Sequence, residues 1–201
     1  MNNGSAAMNT LFESIPRLKG ERVTLRRLTE ADVDGLCELT DNENVYRYLP
    51  TFLYEQKYED KRTVIRHLYD ECIETSLILG VFIDDGFCGL AELYGCRMPH
   101  WKVSVGYRLV ERCWGKGIAT ETLGVLTRYL FEETDIKLIT ASTMADNKAS
   151  AHVLSKQGFK SIGYTVFEDW GYTKPILTKK WIKSDLDHHL ENDEEQAKSA
   201  G

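Results

Sequence analysis

The sequence predicts a single α/β (α+β) domain, a mixed sheet of about seven strands flanked by helices. Two observations carry the prediction. Apolar runs at residues 77–83 and 87–94 are joined by Asp84-Asp85-Gly86, the mark of an antiparallel hairpin with an Asp-Gly turn. Elsewhere strand-like segments (103–110, 137–143) alternate with segments of helical period (118–131, 147–157), which calls for helical crossovers. A length of 201 residues suits one domain, and 42% hydrophobic residues can build its core.

Each element has its own justification. Residues 1–14 predict a flexible arm ahead of a domain at 15–183. Residues 22–28 alternate as the first strand, and Thr29 with Asp32 predicts a helix cap before Val33, Leu36 and Leu39. Val64, Ile65, Leu68 and Tyr69 stand at helical spacing within residues 59–73. The hairpin supplies strands two and three, residues 103–110 the fourth, and in the helix over 118–131 Leu123, Leu126 and Leu130 face the core. A strand over 137–143, a helix over 147–157 ended by Gly158, and closing strands at 160–168 and 176–182 complete the domain. Residues 184–201 are acidic with few large apolar side chains and predict a flexible tail. His188 and His189 within it lack a supporting Cys or His and read as solvated rather than metal-binding.

Charge and cysteines narrow the function. A formal net charge of −6 opposes a general nucleic-acid binder, which carries a basic stripe, and accommodates a cationic substrate. No apolar run approaches the length of a membrane span, and the opening residues lack the basic end and apolar block of a secretory leader. A cytoplasmic protein, monomeric or homodimeric, with no nucleic-acid or membrane partner is expected. The cysteines at 37, 72, 88, 96 and 113 are odd in number and include no Cys-x-x-Cys pair, so reduced thiols and no metal centre are expected.

Residues 104–123, SVGYRLVERCWGKGIATETL, are the most informative, because an alternating strand passes through Arg-x-x-Gly-x-Gly directly into a helix. Gly115 and Gly117 carry no Cβ, so an anion can approach the backbone closely. The amides from Cys113 and Trp114 to Ile118 and Ala119 can converge on it at a helix N-terminus. Arg112 and Lys116 add fixed positive charge. Neither the dinucleotide fingerprint nor the Gly-Lys-Ser/Thr phosphate loop fits the spacing, since Gly117 and Ile118 follow Lys116. On these residues alone, a phosphate site and a plain strand-to-helix corner explain the segment equally well.

The flanking residues resemble a known pattern. Gly106-Tyr107-Arg108-Leu109, followed by Trp114-Gly115-Lys116-Gly117, is similar to the coenzyme A motif of the GNAT superfamily of N-acetyltransferases. The opening VTLRRLTEAD at 23–32 resembles that of the branch acetylating ribosomal-protein N-termini. So does Asp146-Asn147-Lys148-Ala149-Ser150, leading through Val153-Leu154 to Gly158-Phe159. The resemblance spans about residues 17–182. It implies a mostly antiparallel sheet whose fourth and fifth strands run parallel and splay apart, with acetyl-CoA as acetyl donor. The pantetheine arm would lie along Tyr107, Arg108, Leu109 and Val110, bonded as an added strand would be. The diphosphate would rest on Arg112, Cys113, Trp114, Gly115, Lys116, Gly117, Ile118 and Ala119.

The implied reaction is direct acetyl transfer to a primary amine, which must be neutral to attack. A protein α-amino group, with a pKa of about 7.7–8.0, needs less help from a base than a lysine near about 10.4. The acid that the family often places two residues before the Gly-Tyr is Ser104 here, which leaves Glu92 and, below it, His100 as substitute bases. Glu92 is either a half-buried carboxylate suited to take a proton or a solvent-facing strand residue. The resemblance implies that Asn147 and Ser150 touch the coenzyme arm and that Ser150 protonates the sulfur, although capping alone explains Asn147. Trp114 is expected to pack under the loop and Cys113 to be a small buried residue. Tyr164 and Tyr172 are further acids or pocket walls, and Tyr46, Tyr48, Phe52 and Tyr54 either recognise the acceptor or close the domain.

The acceptor is then a protein N-terminal amine or, alternatively, a small-molecule amine or antibiotic. A third reading, suggested by Ser104, is a coenzyme-binding regulatory module without catalysis.

Overall fold

The computed structural model describes residues 15–72, 76–97 and 101–191. The expected arm at 1–14, His100 and the tail beyond residue 191 lie outside the described residues. Eight strands form one sheet: Leu18–Lys19 (β1), Val23–Arg26 (β2), Ser76–Ile83 (β3), Gly86–Arg97 (β4), Lys102–Leu109 (β5), Leu138–Met144 (β6), Lys160–Glu168 (β7) and Ile176–Ser184 (β8). Their order is β1-β2-β3-β4-β5-β6-β8-β7. The strand beyond the expected seven is β1, two residues long and too short to reveal a period. The expected fourth and fifth strands are therefore β5 and β6. Among the described residues, the helices that accompany the sheet include Val33–Thr40 (α1), Glu43–Tyr46 (α2), Lys61–Cys72 (α3), Ile118–Glu132 (α4) and Lys148–Lys156 (α5).

Local chemistry explains the joints. The β3–β4 turn centres on Asp84 and Asp85, both at positive φ (47° and 62°), and Gly86 already pairs with Ile83. The turn is therefore one residue earlier than an Asp-Gly turn, and its two positive φ values match the twist of the flanking strands. Thr29 donates its amide and hydroxyl to Asp32 at 2.8 and 3.0 Å, and Arg26 clamps the same carboxylate with two 2.9 Å bonds. That fixes the chain's entry into α1. Residues 76–82 of β3 are all buried, so both faces of the sheet are covered there. The pair α1 and α3 packs on β4 and β3, while α4, joined to α5, packs on β1, β2 and β5. Leu123, Leu126 and Leu130 sit in the core as their spacing predicts.

Two features depart from sequence expectation. β7 is the sheet edge and is largely exposed, with Tyr164 and Phe167 facing solvent. Residues 185–191 are helical, and His188 is buried against Phe131 with Nε2 3.1 Å from Glu132 Oε1. Packing on α4 and the reciprocal cap of Ser184 with Asp187 decide this; an acidic composition cannot reveal it. His189 stays mostly exposed beside Asp185.

The feature that positions the site is the β5–β6 pair. It is the parallel pair of the sheet, and its register ends after three residues, at Ser104↔Thr140. Their hydroxyls share a 2.8 Å hydrogen bond at that last rung. β5 then runs on to Leu109 beside β4 while β6 runs on to Met144 beside β8, so the sheet splits between them.

Candidate active site

A cleft of about 1220 Å³ occupies the split. Ser104 stands at its apex, which explains a hydroxyl where the family often carries an acid: here the side chain ties the last rung together. Because neighbouring residues of a strand leave on opposite faces, Tyr107 and Arg108 divide the cleft between them. Tyr107 points to α5, where its hydroxyl shares a 3.1 Å hydrogen bond with Ser150 Oγ. Burial pushes the Tyr107 hydroxyl up to about 12, against the pull of that bond, so it stays protonated. Asn147 caps α5 by accepting the Ser150 amide at 3.1 Å, so its side-chain oxygen is committed to the helix.

Arg108 goes to the other face and is 5% exposed. Its Nη2 donates to Glu55 Oε2 at 2.6 Å, its Nε lies against Glu55 Oε1, and its Nη1 donates to Glu92 Oε2 at 2.9 Å. Burial works against the charge, yet the two carboxylates hold the guanidinium above its ordinary pKa. Tyr46 donates to Glu55 Oε1 at 3.0 Å from behind. Glu92 is thus neither half-buried and alone nor solvent-facing. It is a cleft-wall carboxylate shared with a buried arginine, its side chain 15% exposed.

At the far end the strand turns through residues 111–113 into α4. Gly115 and Gly117 adopt positive φ (69° and 77°), which requires glycine, and a Cβ on Gly115 would meet nothing within 4 Å. The first helical bond runs from the Glu121 amide to Gly117, which leaves the amides of Ile118, Ala119 and Thr120 without a partner inside the helix. These amides, with Gly115, Gly117 and Cys113, wall the cleft. Open space over unpaired amides, continuous with the free edge of β5, fits a diphosphate and its arm.

Not every predicted residue joins. Val110 is buried and gives its amide to Cys88 O at 2.9 Å. Arg112 is held by Glu38 (2.8 and 3.1 Å) and the Phe87 carbonyl (2.5 Å), so its charge is spent away from the cleft. Lys116 also stands off the wall. Trp114 is 44% exposed at the rim rather than under the loop, its indole N–H donating to Leu109 O at 2.8 Å. Cys113 is buried, and Leu109 lines the cleft.

The acceptor end was the least legible. Arg47, Tyr48 and Phe52 line it, joined by Tyr94, Glu168, Asp169, Trp170 and Lys180, none of which a motif marks. Tyr94 is pushed up to about 12 by burial and by Glu92 and Glu168 nearby. An arch spans this end: the Thr51 amide donates to Trp170 O at 2.9 Å and the Tyr172 hydroxyl to Leu49 O at 2.7 Å. Tyr172 therefore ties the arch, while Tyr164 stays out on the exposed edge strand. Tyr46 and Tyr54 serve closure rather than the pocket wall.

An acetyltransferase (GNAT) domain model matches residues 22–160, well over half the chain. The uncharacterized N-acetyltransferase YoaA of Bacillus subtilis (strain 168) is 26% identical over 165 residues, which is 74% of this chain and 85% of the relative. A GNAT-family acetyltransferase structure from Bacillus anthracis aligns with a TM-score of 0.73 at 20% identity, covering 85% of this chain and 99% of its own. RimL, a ribosomal L7/L12 alpha-N-protein acetyltransferase in complex with coenzyme A, aligns with a TM-score of 0.70 at 17% identity, over 85% and 98%. At such identities the solved structures speak for the fold, and the domain match speaks for the family. A sheet split at one parallel pair, a glycine corner with free amides at its far end and that match agree: the chain belongs to the GNAT acetyltransferase family and uses acetyl-CoA as its acetyl donor.

Proposed function

We propose that the chain acetylates a primary amine, a protein N-terminal α-amino group in the first instance, by direct attack on acetyl-CoA. The observation that carries the reading is the placement of Glu92 on one face of the split sheet and the Tyr107–Ser150 pair on the other. Bound at the α4 corner and along β5, acetyl-CoA supplies an activated acetyl group as a thioester.

The chain's residues do the rest. The amides of residues 115–120 hold the diphosphate, and the free edge of β5 at Tyr107, Arg108 and Leu109 bonds the arm through its backbone. Glu92 takes the proton that the acceptor ammonium must lose. As the N–C bond forms and the C–S bond breaks, Ser150, backed by Tyr107, donates a proton to the departing sulfur. Asn147 contributes by fixing the Ser150 amide. Val110, Arg112 and Lys116 keep the loop and strand in shape rather than touch the ligand.

An acceptor end where Glu92, Glu168 and Asp169 stand beside Arg47 and Lys180, the last paired with Glu168, accommodates a cationic substrate, and the arch over it suits a free chain end. The same wall accommodates a small polyamine or antibiotic, the second reading. A cytoplasmic setting, with its reduced thiols, is part of this reading; among the described residues, no helix is long and apolar enough to cross a membrane. The test is mass spectrometry of a peptide panel and an amine panel incubated with enzyme and acetyl-CoA. Acetylated peptide α-amines are expected. Modification of small amines alone would replace the first reading by the second, and coenzyme binding without any turnover would leave a regulatory module.

A further inference from the structure

We propose that Glu55 and Arg108 are positioning residues for Glu92, sharing out one buried guanidinium so that Glu92 meets the acceptor as a proton acceptor rather than as a locked ion-pair partner. The inference rests on the reading of Glu92 as the base. Its motive is a departure from symmetry. Glu55, in the turn 54–56, faces both Nε and Nη2 of Arg108, whereas Glu92 receives only Nη1. Glu55 is almost fully buried, the guanidinium is buried with it, and Glu92 is the most exposed of the three, on the cleft wall.

A guanidinium that donates Nη2 to one carboxylate and also lies with Nε in ion-pair contact with it has less of its charge and geometry left for a second. The deep carboxylate therefore limits how firmly the guanidinium binds Glu92, while still fixing where Glu92 points. Tyr46 sets the balance from the far side, since its hydroxyl donates to Glu55 Oε1 at 3.0 Å and takes part of that oxygen's demand. Burial, with Glu55 adding to it, raises the Tyr46 pKa, so this hydroxyl remains a donor. The groups around Glu92 are Arg108 on β5, Tyr94 on its own strand with Glu168 beyond it, and Cys72 on α3. Arg108 is the cation in direct contact with Glu92, while Lys180 is paired with Glu168 and Lys57 with Glu71, so the division of the Arg108 charge sets the site's behaviour. Ser104, at the position where the family often carries an acid, leaves this work to a carboxylate from the neighbouring strand.

The division predicts opposite effects from two conservative changes. In Glu55→Gln, Arg108 is left to Glu92 alone, and the acidic limb of the kcat/KM profile should move to lower pH by about one unit, with kcat at neutral pH reduced. In Tyr46→Phe, Glu55 leans harder on Arg108, Glu92 is loosened, and the limb should move to higher pH. The KM for acetyl-CoA should stay unchanged in both, because neither residue touches the coenzyme side of the sheet.

The measurement uses the full chain, with a short peptide bearing a free α-amino group and with spermidine as acceptors, and Glu92→Gln alongside. Loss of the limb in Glu92→Gln with opposite shifts in the other two supports the proposal. A limb that vanishes in Glu92→Gln but stays in place in Glu55→Gln and Tyr46→Phe overturns the positioning role alone. A limb that survives Glu92→Gln, or no turnover of either acceptor by the unaltered chain, overturns the base assignment and the inference with it. Should Glu55→Gln fail to fold, Tyr46→Phe decides by itself, an upward shift supporting the proposal and an unmoved limb ending it.

Discussion

At Gly117 the φ of 77° makes any side chain costly, by about 1–2 kcal/mol for the left-handed conformation alone. A Cβ there would stand 3.4 Å from Arg22 Nη2, ordinary contact, so the backbone conformation rather than space sets the cost. Gly117→Val should therefore weaken acetyl-CoA binding about tenfold or more by calorimetry while the far-ultraviolet spectrum stays intact; unchanged affinity would refute the corner as the coenzyme site. Ser150→Ala should lower kcat by about a hundredfold with little change in the KM for acetyl-CoA, the pattern of a lost proton donor. Arg108→Ala is different in kind. It strands the buried Glu55 and the partly exposed Glu92, and chemical denaturation should show a loss of about 3–5 kcal/mol. These roles differ in legibility. Gly115 and Gly117 announce themselves because only glycine suits their backbone, whereas Glu55 carries no local signal and acquires its role from a strand more than fifty residues away in sequence.

Among the elements, the arch depends on the loop between β7 and β8 meeting the chain that follows α2. Gly171 sits there at φ 81°, and a Cβ would come within 2.0 Å of Thr51 Oγ1. Gly171→Ala should open the arch and raise the KM for the acceptor several-fold, leaving that for acetyl-CoA alone; steady-state kinetics with each substrate varied would separate the two. Helices and central strands were legible because their apolar periods are long. The turn at Asp84-Asp85 was displaced by one residue because strand twist, not composition, selects where the positive φ values fall. Residues 185–191 form a helix because Ser184 and Asp187 cap its start reciprocally and α4 offers Phe131 and Glu132 as a surface for His188.

For the whole molecule, the groups with raised pKa values set an alkaline limit. Burial, with smaller contributions from neighbours, pushes Tyr69, Tyr94 and Tyr107 up to about 12 and the Cys72 and Cys88 thiols up to about 11. Each is neutral when buried, so the folded chain binds protons more tightly than the unfolded one. The stability they contribute is complete below the ordinary tyrosine and cysteine values and is lost as pH rises through the folded ones. Thermal unfolding followed by circular dichroism should show Tm falling between about pH 9 and 12. A flat Tm across that window would mean these groups ionise freely. At the acid end Asp187, held down to about 2 chiefly by Lys160 with the Ser184 hydroxyl adding to it, loses its hold as pH falls below the ordinary aspartate range.

The order of elements, the glycine corner and the family were determined by the sequence itself, because period, turn chemistry and motif spacing are local properties that neighbouring residues express together. The division of the cleft was decided only in three dimensions. Whether Arg112 meets a phosphate or Glu38, and whether Glu92 stands alone or shares a guanidinium with Glu55, depends on which side chains the sheet and its loops bring within about 3 Å, and charge pairing at that range is blind to distance along the chain.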